Sequence, residues 1–131
     1  MKRAYADTRE GQIHYRIEGD GKPILLLHMA EASSDEYTRV IPFLSKKYRA
    51  IAMDFLGHEE SDKPPYPYQI VDHARTVVSF MDCLGIKQAS VVGHHIGSLC
   101  PPFAQMHASC QHVHHLKVAV FADSCEARFV R

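Results

Sequence analysis

Residues 89–98 read ASVVGHHIGS, and this stretch decides the fold. The apolar run over 88–93 predicts a strand that is buried on both faces, as in a parallel sheet. Gly93 and Gly97 then enclose a sharp turn into a helix. A turn of this kind needs glycine at both positions, because the central residue, His95, is held in a strained backbone conformation and its neighbours must leave room for strand and helix to approach. The stretch therefore predicts strand, turn and helix with His95 at the apex.

Short apolar runs on either side of this stretch predict a layered α/β domain. An alternating pattern near the N-terminus indicates a hairpin, continuous apolar runs indicate buried strands, and apolar residues at the helical period indicate helices. Alternation of strand and helix favours a mostly parallel sheet with helices on both faces. The predicted elements are a hairpin over 4–9 and 12–18, strands over 23–28, 49–54 and 116–121, and helices over 34–46, with a capping box from Ser33 to Glu36, and over 70–84.

Composition excludes several classes of partner. Fifteen Lys and Arg balance fifteen Asp and Glu, so no basic field is present to attract nucleic acid. The longest apolar run, 24–27, is far too short to cross a bilayer, and the N-terminus lacks the apolar segment of a signal peptide. Four widely spaced cysteines without a Cys-x-x-Cys pair predict free buried thiols. We expect a cytoplasmic protein that binds a small molecule and has no nucleic-acid or membrane partner.

Three loops resemble the signatures of one enzyme family. The Gly-x-x-x-Gly turn resembles the nucleophile elbow of the α/β-hydrolases. The strand that ends at His28 resembles the family's strand before the oxyanion loop, and residues 54–64, DFLGHEESDKP, resemble its Asp-x-x-Gly-x-Gly-x-Ser loop. The three occur in the family's order and spacing. The nearest likeness is to the haloalkane dehalogenase, epoxide hydrolase and esterase-like branch.

The resemblance implies a truncated α/β-hydrolase fold. We expect one domain over residues 1–131, with about six strands in the family order 1-2-4-3-5-6. The cap, strands seven and eight and the region that carries the family's catalytic histidine would be absent. Strand 116–121 would then be an unpaired apolar edge, through which the chain could form a homo-oligomer.

The resemblance also assigns site residues by position. His95 takes the nucleophile position, and Asp123, at the end of the strand over 116–121, is a weak candidate for the acid, with an ordinary surface aspartate as the alternative. The other implied residues are amides and side chains around the elbow: the oxyanion-binding amides of Ile96 and of Met29 or Ala30, and the pocket histidines His28 and His94. The resemblance implies no cofactor and no metal.

The chain departs from the family pattern at three positions. The family has Ser, Asp or Cys where this chain has His95, and glycines where it has Met29 and Glu59. A hydrolase of a small ester, epoxide or haloalkane is the function that the resemblance implies, with an inactive or weak site in this chain.

Two alternatives stay open. One is a truncated or pseudoenzyme chain that only binds a small molecule or a partner. The other is a metal-binding protein that uses the cluster QHVHH over 111–115, because paired imidazoles bind zinc, copper and nickel.

Overall fold

A computed structural model shows a seven-stranded sheet in the order β1-β2-β4-β3-β5-β6-β7. The structure describes residues 1–98, 117–121 and 127–129. The strands are β1 (Lys2–Asp7), β2 (Gln12–Glu18), β3 (Lys22–Leu27), β4 (Tyr48–Met53), β5 (Ser90–His94), β6 (Lys117–Phe121) and β7 (Ala127–Phe129). The described helical elements are a 3-10 turn at Ser34–Tyr37, helix α1 (Ile41–Leu44) and helix α2 (Ile70–Cys83).

The sheet is mixed rather than mostly parallel. β3 pairs in parallel with β4 and β5, and β5 pairs in parallel with β6. The β1–β2 hairpin is antiparallel, and β2 adds antiparallel to β4. The predicted hairpin and the order 1-2-4-3-5-6 are confirmed. More of the strand pairs are antiparallel than expected, because the β1–β2 hairpin and β7 both add antiparallel pairs to the parallel strands at the centre of the sheet.

The expectation that β6 forms an unpaired edge is wrong. β7 pairs antiparallel with β6, with Phe121 opposite Ala127. Five residues separate the two strands, which is too few for the crossover that a parallel strand requires, so the next strand can only return antiparallel. Among the described strands, β1 and β7 therefore form the two edges of the sheet.

The single helix expected over 34–46 is divided in two. Ser33 accepts a hydrogen bond from the Asp35 amide and starts the 3-10 turn, and α1 follows after a break. Pro42 explains the division, because proline lacks the N–H that a continuous helix would bond to the carbonyl four residues earlier. Proline is tolerated in the first turn of a helix, and Pro42 lies in the first turn of α1.

Helix α2 follows the prediction closely. It starts with a capping box between Gln69 and Asp72 and ends just before Gly85. Cys83, at its last turn, is exposed, so the expectation of buried thiols is wrong at this position. Within the described part of the chain, no helix is long and apolar enough to cross a membrane.

The two faces of the sheet carry separate apolar clusters. Leu25 and Leu27 of β3 point to one face and pack with α2 through side chains such as Phe80. Leu26 points to the other face, where it packs with Tyr37 and other apolar side chains. This alternation follows from the two-residue period of a strand, and it buries the central strands on both faces. Helices on both faces of the sheet are therefore confirmed.

Candidate functional site

The turn after β5 has the geometry of a nucleophile elbow. His95 is exposed and has a φ of 52°. A Cβ on Gly93 would lie 2.2 Å from the carbonyl oxygen of Gly97, and one on Gly97 would lie 2.3 Å from that of Leu27. The Ser98 hydroxyl donates to the His95 carbonyl at 2.6 Å and closes the first helical turn. Both glycines are therefore required by close backbone contacts, as the sequence predicted.

The loop after β3 starts beside this elbow. Leu27, the last residue of β3, is paired with Gly93 in the sheet register. Because the carboxyl ends of parallel strands meet at one edge of a sheet, the amides of Met29 and Ala30 belong to the same edge as His95. Ile96 begins the helical turn after the elbow. The structure thus brings together the chain segments of the predicted oxyanion donors, while their catalytic role stays a prediction.

The Met29 amide already has an acceptor inside the protein. Its N–H donates to Oε2 of Glu36 at 3.2 Å. The other oxygen of Glu36, Oε1, lies 2.5 Å from Nδ1 of His94. Sequence reasoning missed Glu36, because its spacing from Ser33 matched a capping box and so supplied a local explanation. In the structure, the Ser33 hydroxyl accepts from the Asp35 N–H and not from the Glu36 N–H, and the Glu36 side chain reaches the strand ends.

His94 lines a cavity of about 330 Å³. Glu36 also lines it, and the remaining lining is almost entirely apolar, from β3, β5 and the region of α1, with Leu26 and Val92 among its side chains. The imidazole of His94 is 35% exposed, so it is accessible from solvent. A role for His94 in substrate binding stays a prediction.

His28 is buried and fully engaged by the backbone. Its Nδ1 donates to the Met29 carbonyl at 2.6 Å, and its Nε2 accepts from the Phe55 N–H at 3.0 Å. This arrangement needs the neutral imidazole, and burial lowers the pKa of His28 below its ordinary value of 6.5. These contacts hold the ends of β3 and β4 together. A substrate-binding role for His28 stays a prediction.

His58 fixes the other side of the β3 loop. Its Nε2 donates to the Ala30 carbonyl at 2.5 Å. His58 stands in the Asp-x-x-Gly loop, next to Glu59, which adopts a φ of 37° where the resemblance expects glycine. Glu59 therefore takes the left-handed conformation that glycine would have at this position. The His58 contact with the Ala30 carbonyl positions the loop after β3.

His73 completes a cluster of aromatic rings behind this loop. Its ring centroid lies 4.9 Å from that of Phe55 and 5.3 Å from that of Tyr68, and the His58 ring is 6.1 Å away. Burial and, to a smaller extent, the neighbouring His58 lower the pKa of His73 to about 4. The Nδ1 atom of His73 is buried without a hydrogen-bond partner. Sequence reasoning missed His73 because it falls within the apolar period of α2.

We expect the protein to lose stability as the pH falls from 6.5 to about 4. In this range the unfolded chain takes up a proton at His73 while the folded chain does not, so acid favours unfolding. The effect at His73 amounts to at most about 3 kcal/mol, and His28 adds to it in the same direction. Urea unfolding at closely spaced pH values measures the slope.

The matched variant is His73→Phe. Phenylalanine keeps the ring contacts with Phe55 and Tyr68 and removes the unpartnered nitrogen, so we expect a smaller loss of stability between pH 6.5 and 4 and a more stable protein at neutral pH. An unchanged pH slope in His73→Phe would show that other groups cause the acid sensitivity.

Asp54 is at the centre of a buried hydrogen-bond network. Its carboxylate is 1% exposed and accepts from Nδ1 of His14 at 2.7 Å and from the Ser34 N–H at 2.5 Å. The Ser61 hydroxyl donates to the Asp54 carbonyl at 2.8 Å and accepts from the His14 N–H at 2.9 Å. This network joins β2, the 3-10 turn and the loop after β4. It identifies the Asp and Ser of the Asp-x-x-Gly-x-Gly-x-Ser signature as structural residues.

Two predicted features lie outside the described residues. Asp123, the candidate acid, is one, and the histidine cluster over 111–115 is the other. Within residues 1–98 and the described strands that follow, no group of three His, Cys, Asp or Glu side chains could hold a metal ion.

Comparison with known proteins assigns the family. Residues 22–121 match the family model described as alpha/beta hydrolase fold. The chain belongs to the alpha/beta hydrolase fold family. The range includes all three signatures on which the resemblance rests, and the resemblance is confirmed at the level of the family.

The relatives include haloalkane dehalogenases and an epoxide hydrolase. The chain is 39% identical over 92 residues to haloalkane dehalogenase 2 of Mycobacterium tuberculosis, covering 70% of this chain and 32% of that protein. It is 33% identical over 98 residues to a haloalkane dehalogenase of Mesorhizobium japonicum, covering 74% and 32%. An epoxide hydrolase from an endophytic Streptomyces matches 91% of this chain and 36% of its own, with a TM-score of 0.80 and 28% identity. This member of the alpha/beta hydrolase fold family therefore spans about a third of the length of these relatives.

Proposed function

We propose that the site hydrolyses small activated esters weakly, with the imidazole of His95 as the nucleophile. The observation that carries the proposal is the exposed side chain of His95 at a φ of 52°, between two glycines that leave no room for a Cβ. In this family position the side chain projects from the carboxyl edge of the sheet, where a substrate can reach it.

The reaction follows from the chemistry of a neutral imidazole. Its unprotonated nitrogen attacks the ester carbonyl carbon, and the carbonyl electrons move onto oxygen. These electrons then return to re-form the carbonyl as the bond between the acyl carbon and the alkoxide oxygen breaks, and the alkoxide leaves as the alcohol after taking the N–H proton of the acylated imidazole. Water then adds to the acyl-imidazole and releases the carboxylic acid and the free imidazole. No oxidant, reductant or cofactor is needed.

The same chemistry favours esters over haloalkanes and epoxides. Attack on a saturated carbon forms a carbon–nitrogen bond, and water does not cleave an N-alkyl imidazole. A haloalkane or an epoxide would therefore consume His95 once instead of turning over. The dehalogenase and epoxide hydrolase names of the relatives support the hydrolase class, and His95 narrows the proposal to esters for this chain.

The test is turnover of p-nitrophenyl acetate by the wild type and by His95→Asn. Asparagine tolerates a positive φ, so the variant keeps the elbow conformation without a nucleophile. We expect the wild type to exceed the same concentration of free imidazole, and His95→Asn to lose about tenfold or more of the rate. His114→Ala, which removes a histidine from the 111–115 cluster, is the control for unspecific imidazole catalysis and is expected to retain the rate. Equal rates in the wild type and His95→Asn would contradict the proposal.

A second candidate is binding without turnover. It is supported by the contact between the Met29 amide and Glu36, because an oxyanion donor that already holds a carboxylate is not available to a transition state. Saturable binding of an ester analogue without turnover would favour this candidate.

A further inference from the structure

Glu36 holds two hydrogen-bond donors that belong to different strand ends. The Met29 N–H, from the loop after β3, reaches Oε2 at 3.2 Å, and Nδ1 of His94, at the end of β5, reaches Oε1 at 2.5 Å. Hydrogen bonds from an amide and an imidazole to the two oxygens of one carboxylate are charge-assisted and fix its orientation. The two donors thus already bind a carboxylate, namely the side chain of Glu36.

The sheet places these donors together without help from Glu36. Leu27 and Gly93 are paired in the parallel ladder between β3 and β5, and Met29 and His94 follow them closely in the chain. The His28 ring is held between the Phe55 N–H and the Met29 carbonyl, so it restrains the chain on both sides of the Met29 N–H. Removing the Glu36 side chain should therefore leave the Met29 N–H and the His94 imidazole at the same edge of the sheet.

We propose that the Met29 amide and the His94 imidazole form a cradle for a monocarboxylate, and that Glu36 fills this cradle as an internal ligand. An external carboxylate, or the oxyanion of an ester, enters the cradle only when the Glu36 side chain withdraws. The Glu36 side chain is 24% exposed, so solvent reaches the side chain that has to move. This proposal rests on the proposed function only where it gives the Met29 amide an oxyanion-binding role; carboxylate binding in the cradle does not require catalysis.

The adjoining cavity indicates the rest of the ligand. Glu36 and His94 both line the cavity of about 330 Å³, and its other walls are apolar side chains such as Leu26 and Val92. A ligand whose carboxylate replaces that of Glu36 would place its carbon chain against these walls. The chemical class is therefore a small monocarboxylate with an apolar tail.

The experiment is a titration of formate and butyrate into the wild type and Glu36→Ala, followed by the backbone amide signal of Met29 in nitrogen-15 spectra. We expect a saturable shift with formate in Glu36→Ala and none in the wild type at the same concentrations. Butyrate is expected to bind about tenfold or more tightly than formate in Glu36→Ala, because its chain leaves water for the apolar cavity. The His94 ring signals should shift with the same midpoint.

Glu31→Ala is the matched control. Glu31 is exposed on the loop after β3, which also carries Met29, and replacing it with alanine changes the net charge by the same amount as Glu36→Ala. We expect no saturable shift at Met29 in this variant. A shift as large as that in Glu36→Ala would show that lost negative charge, and not an emptied cradle, attracts the anion, and would overturn the proposal.

A second variant keeps the proposal testable if Glu36→Ala does not fold. Glu36→Gln keeps the length of the side chain but offers a neutral oxygen to only one of the two donors, so formate should displace it more readily than it displaces Glu36. A formate response at the Met29 amide of Glu36→Gln that is no larger than that of the wild type would overturn the proposal. Binding is measured here without turnover, so an inactive His95 site would not affect the result.

Discussion

Replacing Asp54 with alanine is expected to lower the free energy of unfolding by about 3–5 kcal/mol. The carboxylate is almost completely buried, and its two oxygens are the acceptors for Nδ1 of His14 and for the Ser34 amide. Alanine leaves both donors without an acceptor in the interior, where each costs a large part of its lost hydration. Urea unfolding at pH 7 measures the loss.

Asp35→Ala provides the control. Asp35 makes an ion pair with Arg16, but its side chain is 71% exposed, so its removal should cost at most about 1 kcal/mol. A double-mutant cycle with His14→Phe isolates the pair. The cost of Asp54→Ala should fall when His14 is already absent, by about 1–3 kcal/mol. A cost that does not depend on residue 14 would contradict the assignment of this pair.

The substitution Gly97→Ala is expected to cost about 3 kcal/mol or more, and to remove any activity of the elbow. The added Cβ would lie 2.3 Å from the Leu27 carbonyl oxygen and 2.7 Å from the Leu27 carbonyl carbon. Leu27 belongs to the central strand, which is paired on both sides, so β3 cannot move away from the added methyl group without disturbing both ladders. Thermal unfolding of the variant measures this cost.

Gly85→Ala separates this clash from the general effect of losing a glycine. Gly85 has a φ of +66°, and nothing lies within 4 Å of a Cβ built there. Alanine at this position meets only the strain of the left-handed backbone, about 1–2 kcal/mol. Equal losses at positions 85 and 97 would show that close packing of the elbow on β3 does not limit stability.

Local patterns in the sequence account for most of the fold. The apolar runs that became β3, β4 and β5 and the helical period of α2 depend on neighbouring residues, so each can be recognised without knowing the partner. The strand order came from the family resemblance. The division at Pro42 could have been predicted from proline chemistry, whereas β7 has only three residues and no period to recognise.

The candidate site was predictable only where it lies within one stretch of chain. The elbow around His95 is local, and both glycines showed their role through spacing. The contacts of Glu36 with His94, and of Asp54 with His14, join residues far apart in sequence, and their side chains had adequate local explanations. His73 likewise matched a core position of α2. Single-sequence patterns carry no information on which distant polar groups will meet, because that depends on the sheet register.

The central position of β3 has a consequence for synthesis on the ribosome. β3 can pair with β4 once β4, which follows the 3-10 turn and α1, has emerged, but its other edge stays open until α2 and β5 have been made. During that interval the apolar side chains over 24–27 lack one of their two neighbouring strands. We therefore expect the nascent chain to expose an aggregation-prone strand edge during synthesis. We also expect the elbow to be the last part of residues 1–98 to become ordered.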